Sequence, residues 1–229
     1  MITLSKRLQT VADLVKGNST FCDVGTDHAF LPTYLLLCGK INSAIASDIK
    51  KGPLSSAYRT AKEYGVVDKM QLVLSDGLEN VPQRADEIAI AGMGGMMIFD
   101  IISKTPWAYD TTKHFILQPM TKIDFLRKNL YKIGFEILSE TAVVDGNRPY
   151  TVMSVRYCGV KKDMPDLFCY IGKLSSTGDG KIYCEKQIAK LNRKINGLKK
   201  CVTENETEIL RLEKIKNDIE SLVKNNESN

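Results

Sequence analysis

From about residue 20 to residue 157, short apolar runs alternate with longer stretches in which apolar side chains recur every three or four positions. Short continuous runs suit strands and a period near 3.6 suits helices, so the alternation predicts an α/β fold. Strands are predicted at 20–25, 43–49, 70–75, 87–91, 115–118, 136–144 and 151–157. The last two are joined only by Asp145-Gly146-Asn147-Arg148-Pro149-Tyr150, too short for a helical crossover, and are expected to pair as an antiparallel hairpin. The expectation is therefore a seven-stranded Rossmann-like sheet, mostly parallel, with a terminal antiparallel hairpin.

Both ends of the chain carry helical periodicity. Leu4, Leu8, Val11, Leu14 and Val15 form one apolar stripe with charges between them, unlike the unbroken apolar core of a signal peptide. Residues 160–180 are rich in turn formers, and the sheet domain is expected to span 1–160. Beyond it, Ile188, Leu191, Ile195, Leu198 and Val202, then Ile209, Leu212, Ile215, Ile219 and Leu222, repeat at spacings of three and four around the polar stretch 203–208. This predicts a small C-terminal α-helical coiled-coil domain over 161–229, folded as an antiparallel hairpin or running as one long helix with Asn205 at a seam position.

Composition narrows the class. With 43% hydrophobic and 26% charged residues the chain reads as globular, and no apolar run approaches the ~20 residues that cross a bilayer, so a cytoplasmic protein without membrane association is expected. The six cysteines, Cys22, Cys38, Cys158, Cys169, Cys184 and Cys201, form no C-x-x-C pair, and with only His28 and His114 beside them no metal site is expected; they read as reduced, mostly buried thiols. The net charge of +5 is modest, but it is unevenly placed. Residues 181–200 hold seven lysines and arginines against one glutamate, whereas 201–229 hold four against seven acids. Two solvated helix faces pairing with each other explain this, and so does an arm that neutralises a nucleic-acid backbone.

The candidate chemistry sits at the strand exits. The first strand leads into Asp23-Val24-Gly25-Thr26-Asp27-His28, with one glycine where a dinucleotide site would have three. Such a turn suits a ligand without phosphates, whose ammonium seeks a carboxylate beside bare backbone. A tight turn with a helix cap at Thr26 or Asp27 is the structural alternative. The second strand ends at Asp48-Ile49, where a carboxylate can accept both hydroxyls of a ribose, and the third at Ser75-Asp76-Gly77, placed to meet the amino group of an adenine. Three acids at three successive exits point to an adenosyl cofactor, S-adenosyl-L-methionine.

The fourth exit reads Ala91-Gly92-Met93-Gly94-Gly95-Met96-Met97. It lacks the Asp/Asn-Pro-Pro-aromatic tetrapeptide used on exocyclic amines, and no cysteine stands at the fourth or fifth exit to attack a pyrimidine. A glycine floor instead fits a nucleophile that already has a free lone pair, such as a ring nitrogen.

Over almost its whole length the chain resembles the bacterial tRNA (adenine-22)-N1-methyltransferases. The resemblance is carried by 5–12 (Ser-Lys-Arg-Leu-Gln-Thr-Val-Ala), 23–32 (Asp-Val-Gly-Thr-Asp-His-Ala-Phe-Leu-Pro), Gly52-Pro53, Asp76-Gly77-Leu78, Ile90-Ala91-Gly92-Met93-Gly94-Gly95 and Leu117-Gln118-Pro119. Two departures stand out: the family's Gln-Pro-Asn reads Gln118-Pro119-Met120, and its Asp-Gly-Lys-x-Tyr-Glu hairpin reads 145–151 as Asp-Gly-Asn-Arg-Pro-Tyr-Thr. The resemblance implies methyl transfer from S-adenosylmethionine to N1 of adenosine 22 in tRNA. A methyltransferase for another RNA or a small molecule, or a catalytically retired RNA-binding protein, are the alternatives.

On this reading Asp23, Gly25, Asp27, His28, Asp48, Ile49, Asp76, Gly77, Gly92 and Met93 are expected to hold the cofactor. Asp27, supported by His28, is expected to meet the charge that develops on the base, above Met93 and Gly94. Phe30, Tyr34 or Tyr150 would stack on an unpaired adenine turned into the pocket, with Gln118 close by. Lys6 and Arg7, with Lys186, Lys190, Arg193 and Lys194 of the basic helix, are expected to meet tRNA phosphates.

Overall fold

The computed structural model describes residues 2–200 and 205–225. Helix α1 (Lys6–Leu14), capped by the Ser5 hydroxyl, precedes an alternating series of strands and helices: β1 (Thr20–Val24), α2 (Phe30–Leu37), β2 (Ser43–Asp48), α3 (Lys51–Glu63), β3 (Met70–Leu74), β4 (Glu87–Gly94), α4 (Gly95–Ser103), β5 (His114–Thr121) and α5 (Ile123–Lys132). The hairpin β6 (Phe135–Asp145) and β7 (Arg148–Tyr157) follows, then helices α6 (Asp166–Ile171), α7 (Gly178–Lys199) and α8 (Glu206–Asn225). The seven strands form one sheet in the order β3-β2-β1-β4-β5-β7-β6, in which β7 alone runs antiparallel to both of its neighbours. The expected Rossmann-like sheet with its terminal hairpin is the architecture found.

Pleating explains the layers. Ile88 and Ile90 of β4 and Phe115 and Leu117 of β5 point to one face, where Ile98, Ile102, Leu126 and Leu130 of α4 and α5 cover them. Ala89 and Ile116 point to the other, into a cluster with Val11, Leu31, Leu35, Ala57 and Ala61 of α1 to α3. Both faces are thus dry, as parallel strands require.

The structure corrects several expected boundaries. β4 continues to Gly94 and β5 to Thr121, because a bulge around Gly92 and Met93 keeps the two strands paired past the glycines. The hairpin turn is only Gly146-Asn147, with Arg148, Pro149 and Tyr150 already in β7. Gly146, at φ +59°, supplies the positive φ that a two-residue turn of the II′ kind needs first. Helix α2 is capped by neither Thr26 nor Asp27: its N-cap is Ala29, in the left-handed region.

At the C-terminal end, α7 and α8 pack as two separate helices. Asn205 precedes α8, and its carbonyl accepts the Ile209 N–H at 2.9 Å. Ser176, just before α7, donates to the carbonyl of Leu222 near the end of α8, while Lys194 reaches Glu208 near its start, so the pair is antiparallel. Leu191, Ile195, Leu212, Ile215, Ile219 and Val223 fill the seam. Leu222 is exposed and Val223 replaces it, because a full helical period carries the stripe one residue further along. Val202 and Cys201 lie outside the described residues. Among the other cysteines, Cys22, Cys169 and Cys184 are buried, Cys158 is half-buried and Cys38 is exposed, all as free thiols.

Two buried charge networks tie the elements together. Below the sheet, Glu87 accepts from the Lys16 and Gly17 N–H groups (2.8 and 3.0 Å), the Ser19 hydroxyl (2.8 Å) and His114 Nδ1 (2.8 Å), and His114 Nε2 meets Ser154 Oγ at 2.7 Å. On the α5 side, the fully buried Arg127 binds Glu140 of β6 and donates to the carbonyls of Cys169 and Tyr170 at 2.9 and 2.8 Å. Glu140 also accepts from the Thr151 hydroxyl (2.8 Å) and the Lys173 N–H (3.0 Å), while the Arg127 guanidinium lies 5.7 Å from the Tyr183 ring centre. Residues 158–165, which contain the expected boundary at 160, form neither helix nor strand, and the helices beyond dock back onto α5, β6 and β7 through this network.

Candidate active site

Because β3, β2, β1, β4 and β5 lie side by side and parallel, their C-terminal ends form one rim. Across it the sequence places Asp76 just after β3, Asp48 at the end of β2, Asp23 near the end of β1, Gly92 in β4 and Gln118 in β5. Adjacent strands are spaced at about 4.8 Å, so this row has the span of an extended nucleoside-sized ligand.

The β1 exit is the tightest part. The Gly25 and Thr26 N–H groups both donate to the Ser47 carbonyl, at 2.8 and 2.9 Å, which folds the turn against β2. Gly25 has φ +75°, and a side chain there would run into Met93, so bare backbone faces the neighbouring floor. Asp23 is buried, and burial together with the Asp48 charge pushes its carboxyl up to about 6 even though Thr26 works the other way. The Thr26 hydroxyl lies close enough to favour the Asp23 carboxylate, yet it is buried and lacks a partner in good hydrogen-bonding geometry. A buried acid held partly protonated beside an orphaned hydroxyl is a site that gains from a cationic, hydrogen-bonding ligand.

Asp48 accepts the Lys50 N–H at 2.7 Å, and the neighbouring Ile49 is 58% exposed. Asp76 is exposed, and Gly77, at φ +53°, abuts Ile101 of α4. A cavity of about 550 Å³ opens next to Asp76, walled by Met97, Ile101 and Trp107. Asp27 and His28 stand above the β1 turn as a loose pair, 3.4 Å apart, with the Asp27 side chain 79% exposed. His28 stacks on Phe30 with ring centres 5.2 Å apart, so the exposed Phe30 ring has a rigid backing.

The substrate side is built by residues far apart in sequence. Gln118 is fully buried, and its Oε1 accepts both the Gly92 N–H at 3.0 Å and Arg7 Nη1. It therefore braces the glycine floor and does not face a substrate, which corrects its expected role. The Arg7 guanidinium lies 5.6 Å from the centre of the Tyr150 ring, and its backbone N–H donates to Asp145, a residue the sequence reading did not single out. Gly94 is the N-cap of α4, and Gly95 packs so closely on the Thr121 and Lys122 carbonyls that a side chain would not fit.

Tyr34 is half-buried and packs against the cluster beneath α1 and α2, as Tyr150 does. Lys6 is exposed on α1. On α7, Lys186 and Lys190 line a cavity with Tyr150, and Arg193 lies within electrostatic reach of Lys186. Lys194, expected to meet tRNA phosphates, is exposed and pairs with Glu208 of α8 at 2.8 Å. Thr26 was missed as a site residue because a threonine after a glycine reads as an ordinary cap; its burial shows only in three dimensions.

The rim opens between β1 and β4, where the strand order reverses, the place at which doubly wound sheets hold nucleoside-bearing ligands, and the protein is one of that class. Its residues 4–153 match the family described as a methyltransferase domain. The chain belongs to that family, in agreement with the resemblance read from its motifs. The tRNA (adenine(22)-N(1))-methyltransferase of Bacillus subtilis strain 168 is 36% identical over 153 residues, which span 66% of this chain and 64% of that protein, slightly less than two thirds of its length. The crystal structure of the Bacillus subtilis tRNA methyltransferase TrmK superposes with a TM-score of 0.84 at 26% identity, covering 97% of this chain and all of the other. A putative tRNA methyltransferase of Streptococcus pneumoniae, crystallised in complex with S-adenosyl-L-methionine, gives 0.79 at 28% identity over 96% of this chain and 100% of that one.

Proposed function

We propose that the protein methylates N1 of adenosine 22 in tRNA, using S-adenosyl-L-methionine, in the cytoplasm. The observation that carries this reading is the buried Asp23 carboxyl beside the orphaned Thr26 hydroxyl, in line with Asp48 and Asp76 along one rim. These residues fit the cofactor: Asp23 and the Gly25 turn receive the amino-acid end, Asp48 the ribose, and Asp76 with Gly77 the adenine amino group, with Ile49 as an apolar side chain beside Asp48. When bound, S-adenosyl-L-methionine supplies an electrophilic methyl group on a positively charged sulfur.

The protein's own task is placement. N1 of adenine already has a lone pair, so no residue needs to remove a proton, and the side chains at the rim would have only to orient the base and meet the positive charge it acquires. Met93 and Gly94 form the floor over which the base slides, held level by Gln118 and Arg7. Asp27 stands at the rim with His28 and offers a carboxylate to the cationic product. Phe30, exposed and backed by His28, offers a surface for the target base taken out of its stack, and Tyr150, held near Arg7, is a second aromatic surface for the RNA beside it. Lys186, Lys190 and Arg193 supply positive charge for the RNA backbone, with Lys6 at the opposite side. Residues 161–229 act as the tRNA-binding part and 1–160 as the catalytic part.

The test is direct. Purified protein incubated with methyl-labelled cofactor and unmodified tRNA is expected to yield 1-methyladenosine, mapped to position 22 by nuclease digestion and mass spectrometry. Cofactor binding without transfer to tRNA overturns the reading.

A further inference from the structure

Beyond Lys181, the described cations of α7 divide into two sets. Toward the end of the helix, Lys194 and Lys199 are each neutralised by an acid of α8, Glu208 and Glu213, at 2.8 and 2.7 Å. Along the middle of the helix, Lys186, Lys190 and Arg193 enter no ion pair among the described residues, nor does Arg148 of the facing hairpin. Burial, then the charges of Lys190, Arg148 and Arg193, pull the Lys186 ammonium below its usual pKa, the mark of cations crowded together without a counter-ion. Asp124 of α5 is the carboxylate that faces Lys190. A fold that neutralises Lys194 and Lys199 with its own acids and leaves Lys186, Lys190 and Arg193 crowded has positioned those three for an external anion.

The crowded set opens onto a cavity. About 260 Å³ lies between α7, the end of β5 and the start of β7, lined by the apolar and aromatic Met120, Pro149 and Tyr150 together with the cationic Arg148, Lys186 and Lys190. A second space of about 270 Å³ shares Ile123, Gln187 and Lys190 with it, so the two form one cleft along α7. Tyr150 links this cleft to the catalytic floor: its ring faces the Arg7 guanidinium, which braces Gln118 and through it Gly92. Met120 is tied to the same brace, since Gln118 Nε2 approaches Met120 Sδ at 3.6 Å. A lining that joins aromatic and apolar side chains to cations, one side chain away from the floor, is the chemistry of a single-stranded nucleotide subsite.

We propose that this cleft holds a nucleotide flanking the target adenine, its base against Tyr150, Pro149 and Met120 and its phosphate among Arg148, Lys186 and Lys190. The proposal rests on the tRNA-methylating reading and adds where the displaced strand goes: the flanking base is gripped next to the floor, which holds the target out of its stack.

The experiment uses full-length protein and unmodified tRNA transcripts, with tRNA binding measured as a function of salt and methylation measured separately. Lys186→Ala and Arg148→Ala are each expected to lower the slope of log affinity against log salt by about one and together to weaken binding about tenfold or more. A tRNA lacking the base at one of the two positions flanking the target is expected to raise KM about tenfold with the wild-type protein and to have a much smaller effect with Met120→Ala. Affinity for S-adenosylhomocysteine, measured by calorimetry, is expected to stay unchanged in the cationic variants, which shows that they remain folded. Unchanged salt slopes, or indifference of the wild type to both abasic tRNAs, overturns the cleft. Wild-type protein that binds tRNA with these slopes but forms no 1-methyladenosine overturns the proposed reaction and leaves the phosphate contacts standing.

Discussion

Arg7 and Gln118, 111 residues apart in the chain, meet through a hydrogen bond from Arg7 Nη1 to Gln118 Oε1, and the same oxygen receives the Gly92 N–H. The amide thus fixes the bulged end of β4 from below. Gln118→Leu removes the acceptor from both donors, and leaving such groups unsatisfied costs about 1–3 kcal/mol. The variant is expected to lose stability by that amount in chemical denaturation and to lose kcat more than cofactor affinity. Full turnover in Gln118→Leu would show that the floor needs no brace.

Asp23 titrates where an ordinary aspartate does not, at about 6 in the free protein. A bound ammonium favours the carboxylate, so cofactor affinity is expected to rise as pH increases through about 6 and to level off above it. Asp23→Asn is expected to lose about 1.5–3 kcal/mol of binding and to lose the pH step with it. Calorimetric titration of S-adenosylhomocysteine from pH 5 to 8 checks both.

At the opposite end of the strands, Glu87 behaves in the reverse sense. Burial works against its charge, but hydrogen bonds from His114, Lys16, Gly17 and Ser19 prevail and pull its carboxyl down to about 2. Its contribution to folding is present above the unfolded value of about 4.5 and is lost as pH falls from there through about 2. The difference in Tm between wild type and Glu87→Gln is expected to be largest at neutral pH and to shrink steadily below pH 4.5. A constant difference would place the value of Glu87 in shape alone.

Arg127 stays firmly charged although it is fully buried, because Tyr183 and Glu140 together outweigh the burial. Arg127→Met leaves the Glu140 charge without its partner and is expected to cost about 3–5 kcal/mol in urea unfolding. Adding Glu140→Leu is expected to restore part of that loss, since two apolar groups need no compensation. A double variant less stable than the single would mean that Glu140 is held mainly by Thr151 and Lys173.

The first four strands were readable because each is an apolar run closed by an acid or glycine, and the same punctuation marked Asp23, Asp48, Asp76 and Gly92. The limits were equally physical. A buried ion pair such as Arg127–Glu140 uses the same letters as a solvated one, so α5 and β6 showed no sign of it. Helix α6 is too short to display a period. Gln118 looked like a contact for the base because its position beside the floor was legible, whereas its partner Arg7 was not. Pairs between distant segments, including Asp145 with Arg7, follow from the packing of α1 against the hairpin and leave no local trace.

The Arg127 guanidinium has one further implication, for how the chain is made. Two of its acceptors, the carbonyls of Cys169 and Tyr170, and its ring neighbour Tyr183 are translated long after the sheet that surrounds it. A product ending near residue 160 would keep the Arg127–Glu140 pair but would leave the guanidinium donor that serves Cys169 and Tyr170 without its acceptors, next to a face that Tyr183 no longer covers. The C-terminal helices therefore complete the hydrogen bonding of a residue that belongs to the sheet domain, and the two parts of the chain are expected to lose stability together.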